Sequence, residues 1–255
     1  MIDFVGAGPG ATDLITVRGM ELIKKADVII YAGSLVNPRL LSYAKKEAEV
    51  FDSSKLTLEN VIDIMVKAEA EGKDTVRLHT GEQSVYGAVR EQMDALDEKN
   101  IPYRSCPGVS ACFGAAASLD IEYTLPGISQ TLIITRMEGK TPVPDDEKIE
   151  LLASHKASMA VYLSSGMLDK LQEKLIKGGY DKDTPAAIVY KATWPEERQF
   201  ICTVGTLYET GSKNGITKTA IVLVGDAVTH KNFDRSKLYD PAYTTGYRKG
   251  TSQII

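Results

Sequence analysis

Ile2-Asp3-Phe4-Val5-Gly6-Ala7-Gly8-Pro9-Gly10-Ala11 begins as an apolar strand and ends in a glycine-rich turn. Gly6, Gly8 and Ala11 match the G-x-G-x-x-A spacing of a dinucleotide-binding loop. That loop works because glycines admit a pyrophosphate to the backbone and a helix N-terminus follows at once. Here the helix comes late. The apolar stripe is Ile15, Gly19, Leu22, Ile23 and Ala26, and Thr16 is the expected N-cap, so a loop of roughly ten residues separates strand from helix. The next strand, Val28-Ile29-Ile30-Tyr31, runs into Ala32-Gly33-Ser34, where a ribose reader would need Asp or Glu. A nicotinamide or flavin site is therefore not expected. The glycines alone would also serve a tight turn at a sheet edge.

Working outward from this strand, short β-rich runs alternate with amphipathic helical patterns. The runs are Val28 to Tyr31, Glu49 to Asp52, Thr75 to His79, Tyr103 to Ser105 and Thr131 to Thr135. Such alternation predicts an α/β fold with a mostly parallel sheet. Asn37-Pro38 and Thr57, the latter ahead of Val61, Ile62, Met65 and Val66, mark helix starts. The strands end in Gly6, Gly33, Thr80-Gly81 and Pro107-Gly108, and open α/β sheets bind ligands at such carboxyl ends.

Residues 137–147 carry two prolines and a glycine among polar residues and read as a linker. The expected organisation is an N-terminal α/β domain over 1–136, a linker over 137–147, a C-terminal α/β domain over 148–230 and an extension over 231–255. In the second domain, Ile188 to Tyr190 and Arg198 to Cys202 flank Trp194-Pro195, predicting an antiparallel hairpin in a mixed sheet. The extension carries five Lys or Arg against two Asp, with Tyr239, Tyr243 and Tyr247 spaced by four, while Pro241 and Gly246 argue against one continuous helix.

Composition excludes several classes. Apolar residues make up 43% and charged residues 25% of the 255, as in soluble globular proteins, and no 18-residue apolar run suggests a membrane span. The expected location is cytoplasmic. Cys106, Cys112 and Cys202 form no C-x-x-C pair and only His79, His155 and His230 accompany them, so neither a disulfide framework nor a metal site is expected. A net charge of -4 argues against nucleic-acid binding. No Ser/His/Asp or Cys/His set identifies a catalytic side chain, and His79, inside an apolar strand, reads as a core residue.

The N-terminal turn, Leu78-His79-Thr80-Gly81, Pro107-Gly108-Val109-Ser110-Ala111 and Thr184 to Tyr190 occur in the order and at the separations found in the tetrapyrrole methylase family, which the chain resembles. Leu125 to Thr131, Thr135 to Pro144, Lys191 to Glu197, Leu238 to Pro241 and Gly246 to Arg248 narrow the match to its members acting on carbon 11 of precorrin-4 or cobalt-precorrin-4. The resemblance covers nearly the whole chain. It implies an S-adenosylmethionine-dependent C-methyltransferase of corrin biosynthesis, with two α/β domains, the cofactor in the trough between them, and a homodimer. A long Gly/Pro turn without an adjacent helix dipole suits a cationic sulfonium better than a pyrophosphate.

By motif position, the resemblance implies cofactor contacts at Pro9, Thr80, Gly81, Glu82, Val85, Ser110, Ala111, Leu163 and Ala192. The family loop usually reads Gly-Asp-Pro-Ser, and here it reads Gly81-Glu82-Gln83-Ser84. A tetrapyrrole's carboxylate side chains need basic partners, and Arg136 and Lys140, then Arg39 and Lys191, are the candidates. Two other classes share these features: a same-fold methylase with another acceptor, and a noncatalytic binder of tetrapyrroles or S-adenosyl compounds.

Overall fold

The computed structural model describes residues 1–229, 231 and 233–251; His230 at the end of the expected second domain, and Asn232 and residues 252–255 of the expected extension, lie outside the described residues. By its internal contacts the chain divides into two units.

The first unit holds strands β1 (Ile2–Gly6), β2 (Val28–Tyr31), β3 (Glu49–Asp52), β4 (Thr75–His79) and β5 (Tyr103–Cys106). They form a sheet in the order β3-β2-β4-β1-β5, with every pairing parallel. Helices α1 (Val17–Lys25), α2 (Leu58–Ala70), α3 (Arg90–Asp97) and α4 (Ala111–Ser118) accompany it. Alternation along β1 and β2 sends residues to two separate cores. Ile2, Phe4, Val28 and Ile30 join Ile62 and Met65 of α2 and Leu96 of α3. Val5 and Ile29 join Ile23 of α1 with Val76 and Leu78 of β4. Burial of both faces explains why these strands read as nearly continuous apolar runs. The caps follow the sequence: the Thr16 hydroxyl accepts the Gly19 N–H at 3.1 Å, and Thr57 and Asn60 form a reciprocal capping box. At Asn37-Pro38 the expected helix is a 3-10 turn over Pro38–Tyr43, with Asn37 accepting from the Arg39 N–H.

The second unit holds β6 (Leu132–Arg136), α5 (Ile149–Ala153), β7 (Ser158–Tyr162), α6 (Leu168–Lys177), β8 (Pro185–Tyr190), β9 (Arg198–Thr203), α7 (Leu207–Lys213) and β10 (Ala220–Val224). Its sheet runs β6-β7-β10-β8-β9, with β6 and β7 parallel and β10 antiparallel to both neighbours. The sheet is mixed, as expected, and β8 and β9 are neighbours in it. Ile149, Met159, Leu171, Leu175, Ile188 and Val222 centre its core. No helix among the described residues is long and apolar enough to cross a membrane.

The unit boundaries differ from the expected 136 and 148. The first unit comprises Met1–Ser118 and Lys191–Arg198, and the second begins at Leu119. The physical reason is pairing: β6 aligns with β7, Leu132 opposite Ser158 and Arg136 opposite Tyr162, so it belongs to the second sheet. Residues 137–147, read as a linker, form a loop inside the second unit with a 3-10 turn at Asp145–Glu147. In the extension, a 3-10 turn at Lys237–Tyr239 is followed by turns that Arg248 ties together through the Leu238 and Asp240 carbonyls. Leu238, Tyr239 and Tyr247 are exposed.

His79 at the end of β4 is buried and stacked near Phe4, and its Nε2 has no hydrogen-bond partner. Burial, aided by the nearby Arg77 charge, pushes its pKa down to about 3. It is therefore a neutral core histidine. Unfolding restores a value near 6.5, so the unfolded chain binds the extra proton between those limits. Stability from this group is complete above pH 6.5 and is lost as the pH falls toward 3. Urea unfolding at pH 7.5 and pH 5 should show wild type losing about 2 kcal/mol more than His79→Gln. Equal losses would show that His79 is not kept neutral.

Candidate functional site

Three loops leave the carboxyl ends of β1, β4 and β5 and meet through backbone. Gly8 and Gly81 form an antiparallel bridge, with Gly8 N–H donating to Gly81 O at 3.2 Å and Gly81 N–H to Gly8 O at 3.0 Å. A Cβ on Gly6 would stand 2.6 Å from Gly108 Cα, and one on Gly108 would stand 2.1 Å from Gly81 O. No side chain fits at either position, so these two glycines exist for close approach. Gly81 has φ +61°, and a Cβ there would lie 3.5 Å from the Ala111 nitrogen and 3.6 Å from Ser110 Cα. The candidates Thr80, Gly81, Ser110 and Ala111 thus come together. Pro9 lies against the start of the same helix, α4, since its ring would meet a Cβ on Gly114.

The Gly-Pro-Gly turn is held from outside. Asn37 Nδ2 donates to Gly10 O at 2.8 Å, Trp194 Nε1 donates to Pro9 O at 3.2 Å, and Ala11 N–H donates to Thr193 Oγ1 at 3.0 Å. Thr193 and Trp194 lie in the Lys191–Arg198 segment of the first unit, beside the buried candidate Ala192. Within that segment Glu197 accepts the Thr193 N–H and also the Ser118 hydroxyl, the latter at 2.6 Å. Sequence reasoning did not single out Asn37, Thr193, Trp194 or Glu197 for this role. The available signal was one Trp beside a proline in a short connection. Leu163 follows β7 in the second unit with φ +55° and an exposed side chain.

Glu82 and Gln83 explain how the loop holds without the Asp-Pro pair. Glu82 Oε1 accepts the Ser84 N–H at 3.0 Å and Oε2 accepts the Gly108 N–H at 2.6 Å. The longer carboxylate therefore spans from the loop after β4 to the loop after β5. Gln83 is buried and its Nε2 donates to Cys106 O at 3.2 Å, a bond that a proline there could not make. Val85 N–H donates to Glu82 O at 3.1 Å and closes the turn.

Whether these residues fit an S-adenosyl compound is tested by what they leave unpaired. Thr80 Oγ1 is buried without a hydrogen-bond partner, at the edge of a cradle of glycines and Ala111. A ligand carrying its own amino, carboxylate and ribose groups supplies what this hydroxyl lacks. Among the basic candidates, Arg136 Nη1 donates to Met137 O and Thr141 O and its Nη2 donates to Pro142 O at 2.6 Å, so its guanidinium braces its own loop. Lys191 lies 5.1 Å from the Trp194 ring centre and 3.6 Å from Glu196. Arg39 and Lys140 are exposed and, among the described residues, form no ion pair.

Glu82→Ala removes the acceptor for two loop amides. It should lower stability by about 1–3 kcal/mol and weaken S-adenosylhomocysteine binding at least about tenfold. Calorimetric titration of the folded variant checks it, and unchanged affinity would mean that the carboxylate does not shape the cradle.

The model of the tetrapyrrole (corrin/porphyrin) methylases matches residues 1–208. The chain is 51% identical over 245 residues to a cobalt-precorrin-4 C(11)-methyltransferase of Methanocaldococcus jannaschii, covering 96% of this chain and 95% of that one. It is 44% identical over 249 residues to the enzyme of the same name from Priestia megaterium, covering 96% of each. The X-ray structure of a cobalamin biosynthetic enzyme, cobalt-precorrin-4 methyltransferase, superposes with a TM-score of 0.87 at 44% identity, covering 89% of this chain and 95% of that one. With the glycine-packed loops at the ends of its parallel sheet, the chain belongs to the tetrapyrrole (corrin/porphyrin) methylase family.

Proposed function

We propose that the chain is an S-adenosylmethionine-dependent methyltransferase that methylates carbon 11 of precorrin-4 or cobalt-precorrin-4 in cobalamin biosynthesis. The reading is carried by one combination: near full-length similarity to enzymes of that name, and a cradle in which Gly81 packs on Ser110 and Ala111 beside the unpaired Thr80 hydroxyl. When bound, S-adenosylmethionine supplies an electrophilic methyl group on a sulfonium. The protein's part is positioning. Attack at a substituted ring carbon leaves no proton there to remove, so the chain needs to hold the acceptor in line rather than to provide a strong base.

The proposed cofactor contacts are Pro9, Thr80, Gly81, Glu82, Val85, Ser110, Ala111, Leu163 and Ala192. Backbone amides and carbonyls dominate, which is why small residues recur. Glu82 acts through its bonds to Ser84 and Gly108, keeping two loops in register. Lys140 and Arg39, exposed and outside any ion pair among the described residues, suit substrate carboxylates. Arg136 would serve the substrate by fixing the loop that carries Lys140, and Lys191 by its place over Trp194. We further infer a cytoplasmic location and a homodimer, the latter supported by the exposed Leu238, Tyr239 and Tyr247 of the extension.

Incubation with methyl-labelled S-adenosylmethionine and precorrin-4, in metal-free and cobalt forms, should yield one product labelled at carbon 11. Lys140→Ala should raise substrate KM about tenfold or more with cofactor affinity unchanged. Label on another carbon would move the assignment to a same-fold methylase. Binding without transfer would leave a noncatalytic binder, and failure to bind S-adenosylhomocysteine would remove the methyltransferase reading.

For assembly, light scattering at micromolar concentration should give twice the 27.8 kDa of one chain. A mass of one chain would remove the dimer.

A further inference from the structure

Away from the proposed cofactor cradle, the first unit carries an open pocket of about 200 Å³ whose wall includes Arg77 and the beginnings of α2 and α3. Arg77 lies in the middle of β4, between Phe4 of β1 and Ile30 of β2, and only 6% of its surface is exposed. Its Nε donates to Gln92 Oε1 at 2.9 Å and its Nη1 to Ile30 O at 3.3 Å. Among the described residues Nη2 has no partner and no carboxylate pairs with the guanidinium. Burial pulls its pKa down to about 10, and no acidic neighbour offsets that pull. A buried charge without a counter-charge is costly and rare in a structure that has no use for it.

Two helix starts border the pocket beside Arg77. Thr57 and Leu58 open α2, so the positive end of a thirteen-residue helix borders the cavity. Ala88 has φ +48° and is followed by Val89 in the right-handed region, an alternation that turns successive N–H groups to one side. Val89 is the N-cap of α3 and has no side chain able to cap it. Ala88 lies on the wall, and among the described residues its N–H has no hydrogen-bond acceptor. Gln92 bridges the two halves, accepting from Arg77 and donating to Ala88 O at 2.8 Å. Glu91 is the acid on the wall; it is exposed and forms no pair with Arg77.

We propose that this cavity binds a small oxyanion, a phosphate or carboxylate group, between the Arg77 guanidinium and the uncapped start of α3. None of the residues assigned to cofactor or substrate lines it. The ligand chemistry follows from the donors: a planar guanidinium with a free nitrogen and the Ala88 N–H beside it match two oxygens on one centre. Glu91 competes for the same positive potential from the rim.

The full chain is titrated with inorganic phosphate at constant ionic strength in chloride, following heat and melting temperature, with succinate as the carboxylate probe. One saturable site is expected, and the tighter probe tells whether free phosphate or a carboxylate arm is the better fit. Arg77→Gln should weaken the tighter probe at least about tenfold, and Glu91→Gln should strengthen it about threefold or more. Lys140→Ala and Arg39→Ala should leave it unchanged, separating this site from the proposed substrate contacts. Glu91→Gln alters an exposed side chain and decides the matter even where Arg77→Gln does not fold. Affinity unmoved by Glu91→Gln, or a non-saturable response to both probes, overturns the proposal.

Discussion

Gly6, Gly81 and Gly108 bring the backbones at the ends of β1, β4 and β5 so close that a single methyl group on Gly6 or Gly108 would collide with main chain. Three consequences follow from that contact. The loops after β1, β4 and β5 become one surface, their peptide groups meet one another directly, and α4 starts directly against them through Ser110 and Ala111. A surface built from backbone has to defend its loop positions to fractions of an ångström, because a displaced amide cannot be compensated by another rotamer. Glu82 provides that defence between two of the loops, and Asn37, Thr193 and Trp194 provide it around the Gly-Pro-Gly turn.

Much of this was legible in the residues. The late helix followed from the stripe beginning at Ile15 with Thr16 ahead of it, and Thr16 caps α1 as that pattern requires. The parallel sheet followed from buried runs such as Phe4-Val5 and Ile29-Ile30, whose two faces fill separate cores. The glycines at the strand ends marked where the loops meet, because only glycine tolerates such approach. The family resemblance rested on those same positions.

What escaped is long-range pairing. Leu132 to Arg136 reads as a strand from its own composition, but nothing local says which sheet it joins, and its partner β7 lies some twenty residues further on. Arg136 was a candidate because a guanidinium suits a substrate carboxylate; it is occupied by main-chain carbonyls of its own loop, which sequence does not display. Arg77 was not singled out from the sequence, and both faces of its strand are covered, so the charge is buried.

The Lys191–Arg198 segment has a bearing on how the molecule is made. Between β8 and β9, the chain leaves the second sheet's strands to complete the first unit, placing Thr193 and Trp194 on the Gly-Pro-Gly turn. During synthesis the first sheet has all its strands once residue 106 has emerged, yet the turn at residues 8–10 lacks its outer brace until Trp194 appears. The outer brace of the turn after β1 is thus supplied by the chain's last third, and a first unit made without residues 191–198 lacks it.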